Sequence, residues 1–164
     1  MASVTPEFDF QIYNLSPDFY LTYPNSTYPE ILWNRGGRAY NCLLIETKSD
    51  YLICIPYRSN VHHRYAFHFR NSVRSAHTPS ALDYRKMVII KDLRYLDLLI
   101  RPIIDSDEYV ETIQNMQRIS REANEFLEDY ISYVAGTPTI SPEEYNRRYS
   151  KSPLQYFHDE LGIS

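Results

Sequence analysis

A chain of 164 residues with 43% hydrophobic and 23% charged side chains is long enough to bury a core without staples. Two cysteines in apolar surroundings argue for free thiols in a reducing compartment, not a disulfide framework. MASVTPEFDF has no basic leader, and no run approaches the ~18 apolar residues of a membrane span, so the expectation is one cytoplasmic domain over residues 1–164, its sheet core over 8–101 and its helical part over 105–162.

In chain order, Phe8, Phe10 and Ile12 alternate with Asp9, Gln11 and Tyr13, a strand signal. Ser16 before Pro17 is an N-cap followed by a first-turn proline, predicting a short helix through Tyr23. A tyrosine-rich loop with Pro24 and Pro29 ends in Asn34-Arg35-Gly36-Gly37, where two of only four glycines sit. Ala39–Thr47 and Tyr51–Tyr57 are apolar runs separated by Lys48-Ser49-Asp50, which predicts a hairpin of core strands. Arg38 enters the first strand and Arg58, Ser59 and Asn60 leave the second, so the hairpin brings those ends together.

Tyr65–Phe69 alternates again, with Tyr65, Phe67 and Phe69 on one side and Ala66, His68 and Arg70 on the other. Leu82–Lys91 reads as one buried strand, and Leu93–Ile100 as either a strand or a short helix. From Asp105 the pattern becomes helical. Tyr109, Ile113, Met116, Ser120, Ala123, Leu127, Tyr130 and Val134 recur at spacings of four and three, one apolar face ended by Gly136 and Pro138. Ser141-Pro142 and Ser152-Pro153 open two further helices. The fold class is therefore α+β, a curved and mainly antiparallel sheet with a helical C-terminal third.

The net charge of −4 conceals an asymmetry. Residues 35–101 carry 12 Lys and Arg against 5 Asp and Glu, and the rest of the chain carries 5 against 16. Between Tyr51 and Leu82 there is no acidic residue, while Arg58, Arg64, Arg70, Arg74 and four of the five histidines (His62, His63, His68, His77) lie there. Such a run suits a polyanion, whose affinity follows local field more than net charge. Arg38, Arg58, Ser59, His62 and His63 supply the cations, hydroxyl and near-neutral imidazoles that metal-free RNA cleavage requires. Asn34, Tyr40, Tyr57, Asn60, Arg64, His68, Arg70, Arg74, Lys86 and Lys91 are candidate RNA contacts, the tyrosines either as base-stacking platforms or as half-buried sheet residues. No HExxH, CxxC, Walker A, GxGxxG or GxSxG motif occurs, so no metal and no cofactor is expected. The same features also fit a non-catalytic RNA- or DNA-binding regulator, and the acidic helical part fits a protein partner.

Several stretches resemble the endoribonuclease toxins of type III toxin–antitoxin systems, the ToxN/AbiQ superfamily, and most of all its TenpN-like branch. They are FQIYNLSPDFY, RAYNCLLIE, YLICIPYRSN and YAFHFRNSVRS before LDYRKMVIIK, and the likeness covers residues 8–160. It implies a metal-independent RNase on a curved antiparallel sheet, cutting RNA to a 2′,3′-cyclic phosphate. It further implies inhibition by an RNA antitoxin of pseudoknot repeats that the toxin processes, a toxin–RNA hetero-oligomer, cellular or phage RNA as substrate, and phage defence by abortive infection. The family's lysine at the start of the hairpin strand falls on Arg38, which keeps the cation. Its Thr-Ser pair falls on Arg58-Ser59, keeping only the serine. Its next catalytic lysine falls on Val61 and His62, which leaves that role to His62 or His63. Its tyrosine ahead of the first lysine falls near Asn34, with Trp33 and Tyr28 as the nearest aromatics.

Overall fold

The computed structural model describes residues 12–32 and 40–163. Asn34, Arg38, the glycine pair and the start of the first strand lie outside them. Among the described residues the fold is α+β, with a seven-stranded antiparallel sheet and five α-helices.

Strand β1 (Ile12–Leu15) leads into helix α1 (Pro17–Thr22). The Ser16 side chain accepts the Phe19 N–H, and Pro17 begins the helix as the cap pattern predicts. The hairpin forms as expected from β2 (Asn41–Glu46) and β3 (Leu52–Arg58), in a register that pairs Cys42 with Pro56 and Glu46 with Leu52. Ile53, Cys54 and Ile55 are fully buried, because β3 is a central strand covered on both faces, which its unbroken apolar run requires. Both cysteines are free and buried.

Strand β4 (Ala66–His68) realises the alternation around it, with Phe67 and Phe69 buried and Arg70 exposed. The stretch expected as one strand over Leu82–Lys91 is instead two short strands, β5 (Ala81–Asp83) and β6 (Val88–Ile90), joined by a 3-10 turn at Tyr84–Lys86. Both pair with β3, β6 along Leu52–Cys54 and β5 along Tyr57–Arg58. The break has a local cause: the Asp83 side chain accepts the Arg85 N–H and caps the turn. The ambiguous Leu93–Ile100 stretch resolves into a 3-10 turn, Leu93–Tyr95, and the two-residue edge strand β7 (Leu96–Asp97). The path through the sheet runs β4-β5-β3-β2-β1-β7, with β6 also on β3.

The long helix expected from residue 105 to 134 is two helices, α2 (Ser106–Gln114) and α3 (Met116–Val134). Asn115 separates them, turning its side chain back to the Glu111 carbonyl. The apolar face holds on α3, where Ala123, Leu127 and Tyr130 are buried, joined by Ile119 and Phe126. It fails on α2, whose buried residues are Glu108, Glu111 and Thr112. Helix α4 (Pro142–Tyr149) starts behind its Ser141 cap. Pro153–Tyr156 is a 3-10 turn, and α5 (His158–Leu161) ends at Gly162, whose φ of 71° is the left-handed cap that favours glycine. One buried cluster runs from Ile12 to Leu161, so sheet and helices share a core. No described helix is long and apolar enough to cross a membrane.

Candidate functional site

The loop that leaves β3 is built on a carboxylate. Asp83, the first acidic residue after the acid-free run, is fully buried. It accepts a 2.7 Å hydrogen bond from Arg58 Nη1 and a 3.1 Å contact from His63 Nε2. His63 Nδ1 accepts the Tyr65 N–H at 3.1 Å, which leaves the ring proton on Nε2, where it donates to Asp83. Burial pushes the Asp83 carboxyl up, but hydrogen bonds from His63 and Arg58 and the guanidinium charge outweigh it and hold the group below the usual carboxylate range. His68 Nε2 donates to the His63 carbonyl at 2.7 Å, a second tie on the same loop.

Above this anchor the loop is open. Ser59, Asn60 and His62 are exposed, and Val61 between them is buried against Ala66 and Ala81. Asn60 has a φ of 61° and is the one non-glycine residue with positive φ among those described. Asparagine tolerates that region at small cost, and backbone outliers of this kind gather at functional loops. The turn brings Asn60 Oδ1 within 2.8 Å of His62 Nε2. An amide oxygen accepts, so Nε2 carries the proton and Nδ1 is left with its lone pair. Across the loop, Val61 N donates to Pro79 O at 2.8 Å, one residue out of step with the β3–β5 register that pairs Arg58 with Ala81. His77 is exposed at the end of the 3-10 turn Arg74–Ala76, where its N–H donates to the Arg74 carbonyl.

The second half of the cationic run is closed by acids from α2. Glu108 accepts from Ser72 Oγ at 2.9 Å, from Ser80 Oγ at 2.7 Å and from Arg74 Nη2 at 2.7 Å. Glu111 accepts the backbone N–H groups of Arg70 and Asn71, and Asp107 that of Val73. Arg74, read from sequence as an RNA contact, is thus spent on a buried carboxylate. The Arg70 backbone is clasped while its side chain remains in solvent.

Other expected contacts are also occupied. Lys86 Nζ donates to Glu30 O, Glu30 Oε1 and Lys151 O at 3.0, 3.1 and 2.8 Å, which uses all three of its protons. Burial lowers its pKa, though the Glu30 carboxylate works against that. Lys86 ties the chain together and is not open to a phosphate. Tyr57 is buried, bonds Thr112 Oγ1 at 3.0 Å and stacks on Phe69, so no base reaches its ring. Lys91 lies near the far end of the hairpin from Arg58, paired with Asp50 at 3.2 Å. Tyr40 is partly exposed beside β2; continued past Cys42 and Pro56, the hairpin register sets it opposite Arg58. Arg64 is exposed and lies 3.4 Å from Glu144.

The structure therefore gathers Arg58, Ser59, Asn60, His62, His63 and Arg64 at one end of β3, and separates Lys86, Lys91 and Tyr57 from them. Asp83 is the member that residue pattern did not single out as a site residue. A signal existed for it, the carboxylate that closes a long acid-free run. Among the described residues no three His, Cys, Asp or Glu side chains converge as a metal site. Comparisons with protein-family models, curated proteins and solved structures find no match to this chain.

Proposed function

We propose that this chain is a metal-independent endoribonuclease, acting as the toxin of a type III toxin–antitoxin system of the ToxN/AbiQ kind, closest to the TenpN branch. The observation that carries the reading is the open Ser59–His62 loop, seated on the buried Asp83 anchor beside Arg58. Cleavage by 2′-hydroxyl attack needs a base for that hydroxyl, an acid for the departing 5′-oxygen and a cation for the phosphoryl oxygens. His62, with Nδ1 uncommitted, takes the 2′-proton. Water reaching the open loop supplies the proton that the departing 5′-oxygen takes. The P–O5′ bond breaks as the O2′–P bond forms, leaving a 2′,3′-cyclic phosphate and a 5′-hydroxyl. Arg58 offers a partly exposed guanidinium whose position Asp83 fixes. His63, with both ring nitrogens bonded, orients the loop instead of moving protons.

The stretches that resemble the toxin family support the rest of the reading, because they fall on consecutive parts of the sheet. RAYNCLLIE contains β2, YLICIPYRSN contains β3, and LDYRKMVIIK contains the β5–β6 turn that supplies Asp83. On that basis the inhibitor is an RNA of pseudoknot repeats that the enzyme itself trims, held in a toxin–RNA assembly. The targets are cellular or phage transcripts, the compartment is the cytoplasm, and the outcome is abortive infection.

The test is RNA cleavage by purified protein in excess EDTA, with wild type beside His62→Ala. The variant is expected to lose roughly 10²–10⁴-fold in rate, with an unchanged melting temperature and cyclic-phosphate ends on the wild-type product. Undiminished cutting by the variant would remove the assignment of His62. Salt-sensitive RNA binding with no cutting by any of the proteins would make the chain a binding regulator.

A further inference from the structure

The acidic C-terminal third contributes arginines to the cationic face. On α4, Arg147 Nη2 lies 2.9 Å from Glu144 Oε1, and Arg64 Nη2 from the candidate loop lies 3.4 Å from the same oxygen. Both guanidiniums are mostly in solvent, 73% exposed for Arg64 and 59% for Arg147. The other carboxylate oxygen is taken by Arg148 Nε at 2.7 Å and by the Tyr65 hydroxyl at 3.0 Å. Arg148 also pairs with Asp129. Three arginines thus meet two carboxylates, and the surplus cation falls on the two exposed members. The ring of Tyr65 has Arg64 over it at 5.2 Å and Arg148 at 5.7 Å, and lies 6.1 Å from the His63 ring. The cluster is therefore continuous with the anchored loop.

We propose that Arg64 and Arg147 form a phosphate-binding pair that holds the RNA strand beside the bond being cut. This rests on the ribonuclease reading and extends it from the loop onto α4. Exposed ion pairs to Glu144 exchange readily for a phosphate, because in water such pairs are held weakly. Guanidinium forks take phosphate oxygens two at a time, with a geometry that an ammonium cannot reproduce. The pair recognises backbone and carries no base specificity. It serves substrate and inhibitory RNA alike, which explains how an acidic protein retains a polyanion at this end of the molecule.

The experiment measures binding of a labelled single-stranded RNA oligonucleotide across a salt series. Arg64→Ala and Arg147→Ala, single and combined, are placed on the His62→Ala background so that the probe stays intact. Arg121→Ala removes an exposed α3 arginine paired with Glu125 and controls for net charge. Each of the two variants should weaken binding by about tenfold, lower the salt slope by about 0.7, and leave the melting temperature unchanged, while Arg121→Ala changes neither affinity nor slope. Affinities that match the Arg121→Ala control would overturn the phosphate pair even if the wild type cuts RNA. Loss of binding in an otherwise intact protein that never cuts RNA would uphold the pair and remove the ribonuclease reading alone.

Discussion

The acid-free run contains two loops of similar composition, and the fold treats them in opposite ways. Residues 58–63 rest on one carboxylate from the neighbouring strand, Asp83, which takes Arg58 and His63 and leaves Ser59, Asn60 and His62 to solvent. Residues 70–75 are gripped by three carboxylates from α2, which take three backbone amides, Ser72 and Arg74. A guanidinium opposite a buried carboxylate is structural, whatever its neighbours in sequence suggest. The lesson is that cationic composition marks where a polyanion could bind, while the placement of a few carboxylates decides which half of the run stays available.

The strongest way to break this comparison is Asp83→Ala. It leaves Arg58 and His63 without their acceptor, and losing one partner of a buried pair costs about 3–5 kcal/mol. A chain of this size loses roughly 2–4 °C in melting temperature per kcal/mol, so calorimetry should show a large drop. An unchanged transition would mean that the loop does not depend on this anchor. Next in size is Glu111→Gln, which keeps one acceptor oxygen and should cost about 1–2 kcal/mol. Hydrogen exchange should accelerate at the Arg70 and Asn71 amides and stay the same at Tyr65; uniform acceleration would contradict two separately held loops.

Acid sharpens the contrast further. Arg148 leads the hydrogen bonds that hold Glu144 down to about 2, and Asp83 is also held below its ordinary value, against its burial. A carboxyl whose folded pKa is depressed contributes stability that is complete above its unfolded value and fades as pH falls towards the folded one. For Glu144 the window runs from its ordinary 4.5 down to about 2. Urea unfolding across that window should show falling stability, and Glu144→Gln should flatten the fall. The smallest expected effect is Arg70→Ala, whose exposed side chain should change stability by less than about 0.5 kcal/mol while weakening RNA binding. A clear loss of stability there would show that its side chain belongs to the α2 clasp after all.

The elements governed by short-range rules were legible from residues alone. Ser16-Pro17 and Ser141-Pro142 begin helices because a hydroxyl cap and a first-turn proline act within one turn. The β2–β3 hairpin follows from two apolar runs joined by a polar turn. The region of the candidate site was legible too, since an absence of acid over so long a stretch is a property of the string itself. What only tertiary structure decided are the pairings between distant residues: Asp83 breaking one expected strand and seizing Arg58 and His63, and Glu108 and Glu111 making the buried face of α2 polar. The physical reason is that burial and charge pairing depend on which strands and helices meet. A histidine or arginine has the same letter whether its partner is water, a phosphate or a buried carboxylate.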